Sequence, residues 1–291
     1  MKPAPFVYLA PRSLEEAVRL LAEHGDEAKV LAGGQSLVPM MNFRLAAPAV
    51  LVDLNGVSEL EHVREQGGML VLGALARHRA VPDVPGLRGR CPMLTEGVEL
   101  IGHAAIRNRG TVGGSLAHAD PSAEWPALLL AMDGEADAVG PSGRRTISAA
   151  DLFESYFTTT LAPDEILTEV RLSLPNGGHV GSAFVELARR HGDFALAGAA
   201  TIVNMIDDST VGEARIALIG LRDKAIRASA AESLLRGAPA TDETLVEAAA
   251  AIDAEIEPIS DVHGSAEYRR HVAKVLVRRA LTRAVERARA A

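Results

Sequence analysis

Ala32-Gly33-Gly34-Gln35-Ser36 is echoed about eighty residues later by Thr111-Val112-Gly113-Gly114-Ser115. Each string sets a small residue, two glycines and a small polar residue in a row. Adjacent glycines lack Cβ atoms, so the backbone can take positive φ and approach a ligand within hydrogen-bond distance. Successive exposed N–H groups in such a turn form a concave nest for anionic oxygens, and the following Gln or Ser adds a side-chain donor. Two matched loops predict a diphosphate held from both sides.

The chain around these loops reads as mixed helix and strand. Ser13 and Glu16 form a capping box before the helix-spaced Leu14, Ala17, Val18 and Leu21, and Gly25 can end that helix. Residues 28–32 form a short buried strand that delivers the first loop, and residues 50–54 form the next strand. Residues 68–75 read as a strand and 92–105 as a helix that leads to Arg107-Asn108-Arg109-Gly110 and the second loop. Asp120-Pro121 suits an N-cap and first helical position, with residues 125–132 as an apolar helix. Residues 134–148 have strand and turn character, and 166–174 form a strand ending at Pro175. Pro175-Asn176-Gly177-Gly178 is the best boundary signal. Three strands follow (182–187, 196–206 and 214–221), then helices near 228–236, 242–254 and 265–289. The last carries Arg269, Arg270, Lys274, Arg278 and Arg279, read as a solvated face, with a partner contact as the alternative.

With 291 residues, 48% hydrophobic and 23% charged, the chain can build a sizeable core without staples, and it is long enough for two domains. Aromatics are 3%, so that core rests on Ala, Leu and Val. A net charge of −8 argues against nucleic acid or an anionic membrane as partner. No apolar run approaches the ~20 residues of a membrane span, and no signal peptide is visible, so a soluble, cytoplasmic protein is expected. Cys91 is the only cysteine, which excludes an internal disulfide and an iron–sulfur cluster ligated wholly by this chain. Nine histidines show no ligand spacing, so no metal site is expected; His24, His62, His78 and His179 read as surface positions, while His103 and His118 could touch a ligand.

Neither glycine loop is a P-loop or a dinucleotide fingerprint, since Gly-x-x-x-x-Gly-Lys-Ser/Thr and Gly-x-Gly-x-x-Gly are both absent. There is no nucleophile elbow, no His-Glu-x-x-His and no convincing nucleophile–base pair, and no catalytic side chain is expected. The chain is equipped to hold a ligand and poorly equipped to react with it. That combination favours a protein whose cofactor supplies the reactivity.

Longer strings carry a resemblance. Residues 32–41, Ala-Gly-Gly-Gln-Ser-Leu-Val-Pro-Met-Met, with Arg44-Leu45 behind them, resemble the first FAD-binding loop of the medium subunit of molybdenum hydroxylases. Residues 107–121, Arg-Asn-Arg-Gly-Thr-Val-Gly-Gly-Ser-Leu-Ala-His-Ala-Asp-Pro, resemble the second. Residues 188–195 and 264–271 extend the likeness in order along essentially the whole chain. This is the flavoprotein family of aerobic carbon monoxide dehydrogenase and the xanthine dehydrogenase-like enzymes.

The resemblance implies an α+β fold. A two-part FAD-binding domain of the PCMH type would occupy residues 1–176, with subdomains of about 1–56 and 57–176. A smaller carbon monoxide dehydrogenase flavoprotein-like domain, a three-stranded antiparallel sheet with helices, would follow at 177–291. It implies FAD contacts from Ala32, Gly33, Gly34, Gln35, Ser36 and Leu37 and from Thr111, Val112, Gly113, Gly114 and Ser115, with His118 and Asp120 beside them. Glu124 stands where relatives have an acid that hydrogen-bonds the cofactor; read alone, it is a first-turn helix acid. Leu161, Asp193 and Phe194 fall in segments that pass near the isoalloxazine in relatives, although alone Leu161 reads as core and Asp193 as a turn residue. Ala76 sits where Thr is common. Val185 replaces a Lys of the xanthine dehydrogenase type, which weakens NAD as acceptor and leans toward the carbon monoxide dehydrogenase branch.

The implied partners are a molybdopterin-binding large subunit and a [2Fe–2S] small subunit, in a dimer of heterotrimers. Electrons would pass from the clusters through FAD to an acceptor such as a quinone or NAD. The rival reading is a self-sufficient PCMH-type flavin oxidase or dehydrogenase, which would need its own acid or base near the ring.

Overall fold

The computed structural model describes residues 2–291. Its first unit is a three-stranded parallel sheet of β1 (Val7–Leu9), β2 (Ala28–Leu31) and β3 (Val50–Asp53) in the order β1-β3-β2. Parallel neighbours require crossovers. These are α1 (Leu14–His24) and the short α2 (Leu37–Asn42). Ser13 Oγ accepts from Glu16 N at 3.2 Å, as the capping box predicts, while the Glu16 carboxylate reaches back to Arg12 N at 2.9 Å. Gly25 closes α1 with φ +51° and its N–H on Leu21 O. Ala17, Val18 and Leu21 bury against Ala28, Val50 and Val52.

The central unit is a five-stranded antiparallel sheet of β4 (Val63–Gln66), β5 (Met69–Gly73), β6 (Glu135–Gly140), β7 (Gly143–Ser148) and β10 (Ile166–Ser173), in the order β4-β5-β10-β6-β7. Five helices lie between β5 and β6: α3 (Leu87–Arg90), α4 (Pro92–Leu100), α5 (Ala104–Arg109), α6 (Val112–His118) and α7 (Glu124–Ala131). After β7 come α8 (Ala149–Leu152) and a small hairpin of β8 (Phe153–Ser155) and β9 (Thr158–Thr159). Every residue of α7 is buried. A helix that is apolar all round must be covered on all sides. Here it lies between the central sheet and the one that follows.

That third sheet is antiparallel: β11 (Val180–Ala188), β12 (Ala195–Asp207), β13 (Thr210–Ile219) and β14 (Ile226–Arg227). One face carries Phe184, Ala200, Ile202 and Ile219 into the central core against α4 and α7. The other carries Val185, Ala199, Val203 and Leu218 under α9 (Ser229–Leu235), α10 (Asp242–Ala251) and α11 (Ala266–Ala290). Alternation along β11 and β12 therefore serves two cores. Residues 174–179 join β10 to β11.

Several sequence expectations change. The helix expected over 92–105 is two, broken at Gly102 with φ +48°. Asp120 is not the cap of α7, which Ala123 fills; its Oδ1 instead accepts from Ser122 N at 2.8 Å. The two-residue β14 makes the last sheet four-stranded, and β1, β4, α2 and the β8–β9 hairpin are too short for a periodic signal. His78 is not at the surface: it is 4% exposed. The basic face of α11 is largely paired within the chain. Arg269 is buried and donates to Leu196 O at 2.8 Å and Asp261 at 2.7 Å, Arg270 and Lys274 meet Asp253, and Arg278 meets Asp242. Among the described residues no helix is long and apolar enough to cross a membrane, and no group of three or more His, Cys, Asp or Glu could hold a metal ion.

Candidate cofactor site

Strand β2 ends at Leu31 and releases the chain into the first loop. Gly34 takes φ +72°, with Val38 and Leu31 side chains around its Cα, a conformation a β-carbon would strain. The amides of Gly33, Gly34, Gln35, Ser36 and Leu37 have no acceptor among the described residues. The next N–H, that of Val38, begins the helical pattern by donating to Gly34 O at 3.1 Å. Pro39 falls in the first turn of α2, where its missing N–H costs nothing. Five consecutive free amides at the mouth of a helix form an anion nest.

The second loop, matched in sequence, does different work. Val112 N donates to Ala76 O at 3.0 Å, Gly113 N to Ala74 O at 2.9 Å, and Ser115 N to Thr111 O at 3.0 Å. Thr111 caps α6 by accepting from Gly114 N at 3.1 Å. Thr111, Val112 and Gly113 are buried, and a Cβ on Gly113 would lie 2.5 Å from that of Ala74. The second loop is thus a wall with satisfied amides, set close to the first. A Cβ on Gly114 would stand 3.6 Å from Ala32 Cβ, and one on Gly33 only 2.5 Å from Arg109 O. Beneath this wall Trp125 Nε1 donates to His78 Nδ1 at 3.0 Å, and burial together with Arg107 and Arg77 drives the imidazole down to about 3. His78 is therefore a neutral acceptor that supports Gly110.

Beyond the loops lies a set of desolvated acids. Glu124, the first residue of α7, is 8% exposed, and burial followed by the charge of Glu186 raises its carboxyl to about 8. Burial alone lifts Glu186, on β11, to about 7. Its Oε2 is enclosed without a hydrogen-bond partner among the described residues, as is Thr160 Oγ1 beside Leu161. Burial also raises Asp120 and lowers His118, whose ring sits 5.1 Å from that of Phe157. Ala119 and Phe157 both hold positive φ, and Phe157 N donates to Ala119 O at 3.1 Å. A carboxyl held neutral at Glu124 and an unpartnered oxygen on Glu186 suit a polyol, whose hydroxyls both donate and accept.

Leu161 is half-buried against the central core. Asp193 and Phe194 lie on the β11–β12 loop, where Gly192, at φ +79°, packs over His103 at the start of α5. Phe194 is 65% exposed. Sequence reading missed Glu186, Asn55 and Arg77. Asn55 Nδ2 donates to Ala32 O at 2.9 Å, and Arg77 links Asn55 to Arg109 O. The one visible signal was Asp53-x-Asn55 at the end of a strand, a turn-forming pattern. Cys91 is buried, and burial pushes its thiol up to about 11.

Residues 4–175 match the FAD binding domain in molybdopterin dehydrogenase, and residues 182–284 match the CO dehydrogenase flavoprotein C-terminal domain. The chain belongs to the FAD-binding medium subunits of molybdenum hydroxylases. It is accordingly a flavoprotein component of an oxidoreductase, with FAD as its cofactor. It is 43% identical to the 6-hydroxypseudooxynicotine dehydrogenase complex subunit alpha of Paenarthrobacter nicotinovorans, over 99% of this chain and 97% of that one. It is 39% identical to the carbon monoxide dehydrogenase medium chain of Hydrogenophaga pseudoflava, over 98% of each. A solved carbon monoxide dehydrogenase of Hydrogenophaga pseudoflava, lacking the Mo-pyranopterin moiety of its cofactor, superposes with a TM-score of 0.95 at 41% identity, covering 99% of both chains. The free amides, the glycine cradle and the enclosed Glu186 oxygen fit FAD's diphosphate and ribityl chain.

Proposed function

We propose that this chain is the electron-transfer subunit of a heterotrimeric molybdenum hydroxylase, standing between the [2Fe–2S] clusters of a small partner and an external acceptor. The observation that carries this reading is the row of five unpaired amides at 33–37, a binding device with no acid, base or nucleophile of its own in it. In this reading residues 33–37 take the diphosphate, and Ala32, Thr111, Val112, Gly113, Gly114 and Ser115 form the cleft around it. His118, Asp120, Glu124 and Glu186 face the ribityl chain, and Leu161, Asp193 and Phe194 border the ring. FAD, when bound, supplies the redox chemistry. The chain's own contribution is to hold it, exclude water and keep a proton on Glu124.

A molybdopterin-binding large subunit would complete a dimer of heterotrimers in the cytoplasm, with a FAD-binding domain at 1–176 and a second domain at 177–291. The named relatives act on a substrate as small as carbon monoxide and one as large as 6-hydroxypseudooxynicotine, so substrate choice belongs to another subunit. Val185 packs under α9, α10 and α11, on the face of β11 opposite Glu186, so it carries no weight in the choice among a quinone, NAD and other acceptors.

The test is the assembled enzyme carrying Gly34→Val. Loss of flavin should leave substrate-driven reduction of the iron–sulfur clusters intact while acceptor reduction falls to background. A flavin-free complex that reduces its acceptor at the wild-type rate would overturn the proposal. So would turnover of a small substrate by the isolated chain, the behaviour of a self-sufficient oxidase.

A further inference from the structure

We infer that Asn55 and Arg77, which lie outside both glycine loops, set the spacing and peptide orientation of those loops and so control the affinity for FAD. The inference rests on the placement of the diphosphate between the loops proposed above.

Asn55 follows β3 and is held by its neighbour: Asp53 Oδ1 accepts from Asn55 N at 2.9 Å, and Tyr8 OH donates to Asp53 Oδ2. From there Asn55 Nδ2 donates to Ala32 O at 2.9 Å. Arg77 Nη2 donates to Asn55 Oδ1 at 2.7 Å, and Arg77 Nη1 donates to Arg109 O. The result is an unbroken polar chain from the first loop to Arg109, two residues before the second. It also crosses between units, because Ala32 and Asn55 follow strands of the first sheet while Arg77 and Arg109 belong to the second unit. The direct contact between the loops, Gly33 on Arg109 O, is steric and has no hydrogen bond to fix it.

A peptide unit is planar, with its C=O and N–H pointing in opposite directions. Holding Ala32 O therefore aims Gly33 N–H away from Asn55. The next plane is treated alike, since Gln35 Nε2 donates to Gly33 O at 3.1 Å and so aims Gly34 N–H. Two of the five free amides are thus oriented through their own carbonyls. Arginine suits the central place because its planar fork addresses two acceptors at once, whereas lysine is a point charge on a flexible stem. Asn55 and Arg77 are positioning residues, since the polar atoms named here are spent on protein.

FAD would be titrated into the deflavinated full-length chain carrying Asn55→Ala, Arg77→Lys, both, or Gly34→Val, with thermal melting of each apo-protein. Either brace variant should raise the FAD dissociation constant about tenfold. The double variant should be no weaker than the weaker single, because both changes cut one tie. Arg77→Lys keeps charge and bulk, so it decides the matter if Asn55→Ala does not fold. Lower melting temperatures with wild-type FAD affinity in the folded fraction would reduce the brace to a structural role and overturn the inference. If Gly34→Val abolishes binding while the brace variants do not weaken it, the brace is wrong and the loop placement stands. If Gly34→Val also binds like wild type, the loop placement fails and the brace fails with it.

Discussion

Gly33→Ala adds a single methyl at the point where the two loops touch. That carbon would stand 2.5 Å from Arg109 O, 2.8 Å from Gly110 Cα and 3.1 Å from Arg109 C, all of them backbone atoms. Ordinary contact begins at 3.4 Å, so the first pair must part by 3.4 − 2.5, or 0.9 Å. No side-chain rotation can relieve it, and Arg77 restrains the Arg109 carbonyl from recoiling. Overpacking of this kind costs about 1–3 kcal/mol. For a chain of this size that lowers the melting temperature by a few degrees. The cost to binding is larger in effect. An N–H···O bond of ~2.9 Å opened by most of an ångström is no longer a hydrogen bond. Losing one charge-assisted bond raises a dissociation constant between about tenfold and a hundredfold. FAD titration of the deflavinated variant, with melting in parallel, reads both quantities. Gly89→Ala is the control: nothing lies within 4 Å of its Cβ in α3, so FAD affinity should be unchanged. Wild-type FAD affinity in Gly33→Ala would refute the close-approach argument.

Other consequences are open to direct measurement. Thr111→Val removes the acceptor for Gly114 N and should cost about 1 kcal/mol of stability, read by denaturant titration. In the deflavinated chain, Glu124 titrates near 8 when folded against 4.5 ordinarily, so the folded state binds the extra proton between those values. Its stabilising effect is complete below about 4.5 and is lost as pH rises through 8; Glu124→Gln should flatten that alkaline arm of the melting profile. His78 works in the opposite sense: its imidazole is held near 3 against 6.5, so stability is complete above 6.5 and falls toward pH 3. Cys91, buried with its thiol near 11, should resist alkylation at pH 8 until the chain is unfolded.

Much of the scaffold was legible because long periodic segments carry their own signal. The α1 capping box and the long strands β11, β12 and β13 could be read from spacing and turn residues. Short elements could not: β1 has three residues and β14 two, each made a strand by its neighbours. The glycine pairs were visible, but their division of labour was not. Whether an amide is free depends on distant carbonyls, and Ala74 and Ala76 silence the second loop from across the sheet edge. The basic residues of α11 read as solvated because Asp242, Asp253 and Asp261, their partners, precede them in sequence without any helical spacing. Glu186 was hidden for a similar reason. An acid inside an alternating strand looks like a solvent-facing residue until a second core covers that face.

In the function proposed above, the first loop presents its backbone amides to the cofactor's diphosphate while the second loop walls the cleft with amides already spent. Amide hydrogen exchange of the full-length chain, with and without FAD, tests this residue by residue. FAD should newly protect the amides of Gly33, Gly34, Gln35, Ser36 and Leu37, while Val112, Gly113, Gly114 and Ser115, protected already by Ala76, Ala74 and Thr111, should change little. Exchange at 33–37 that FAD leaves untouched would contradict the claim.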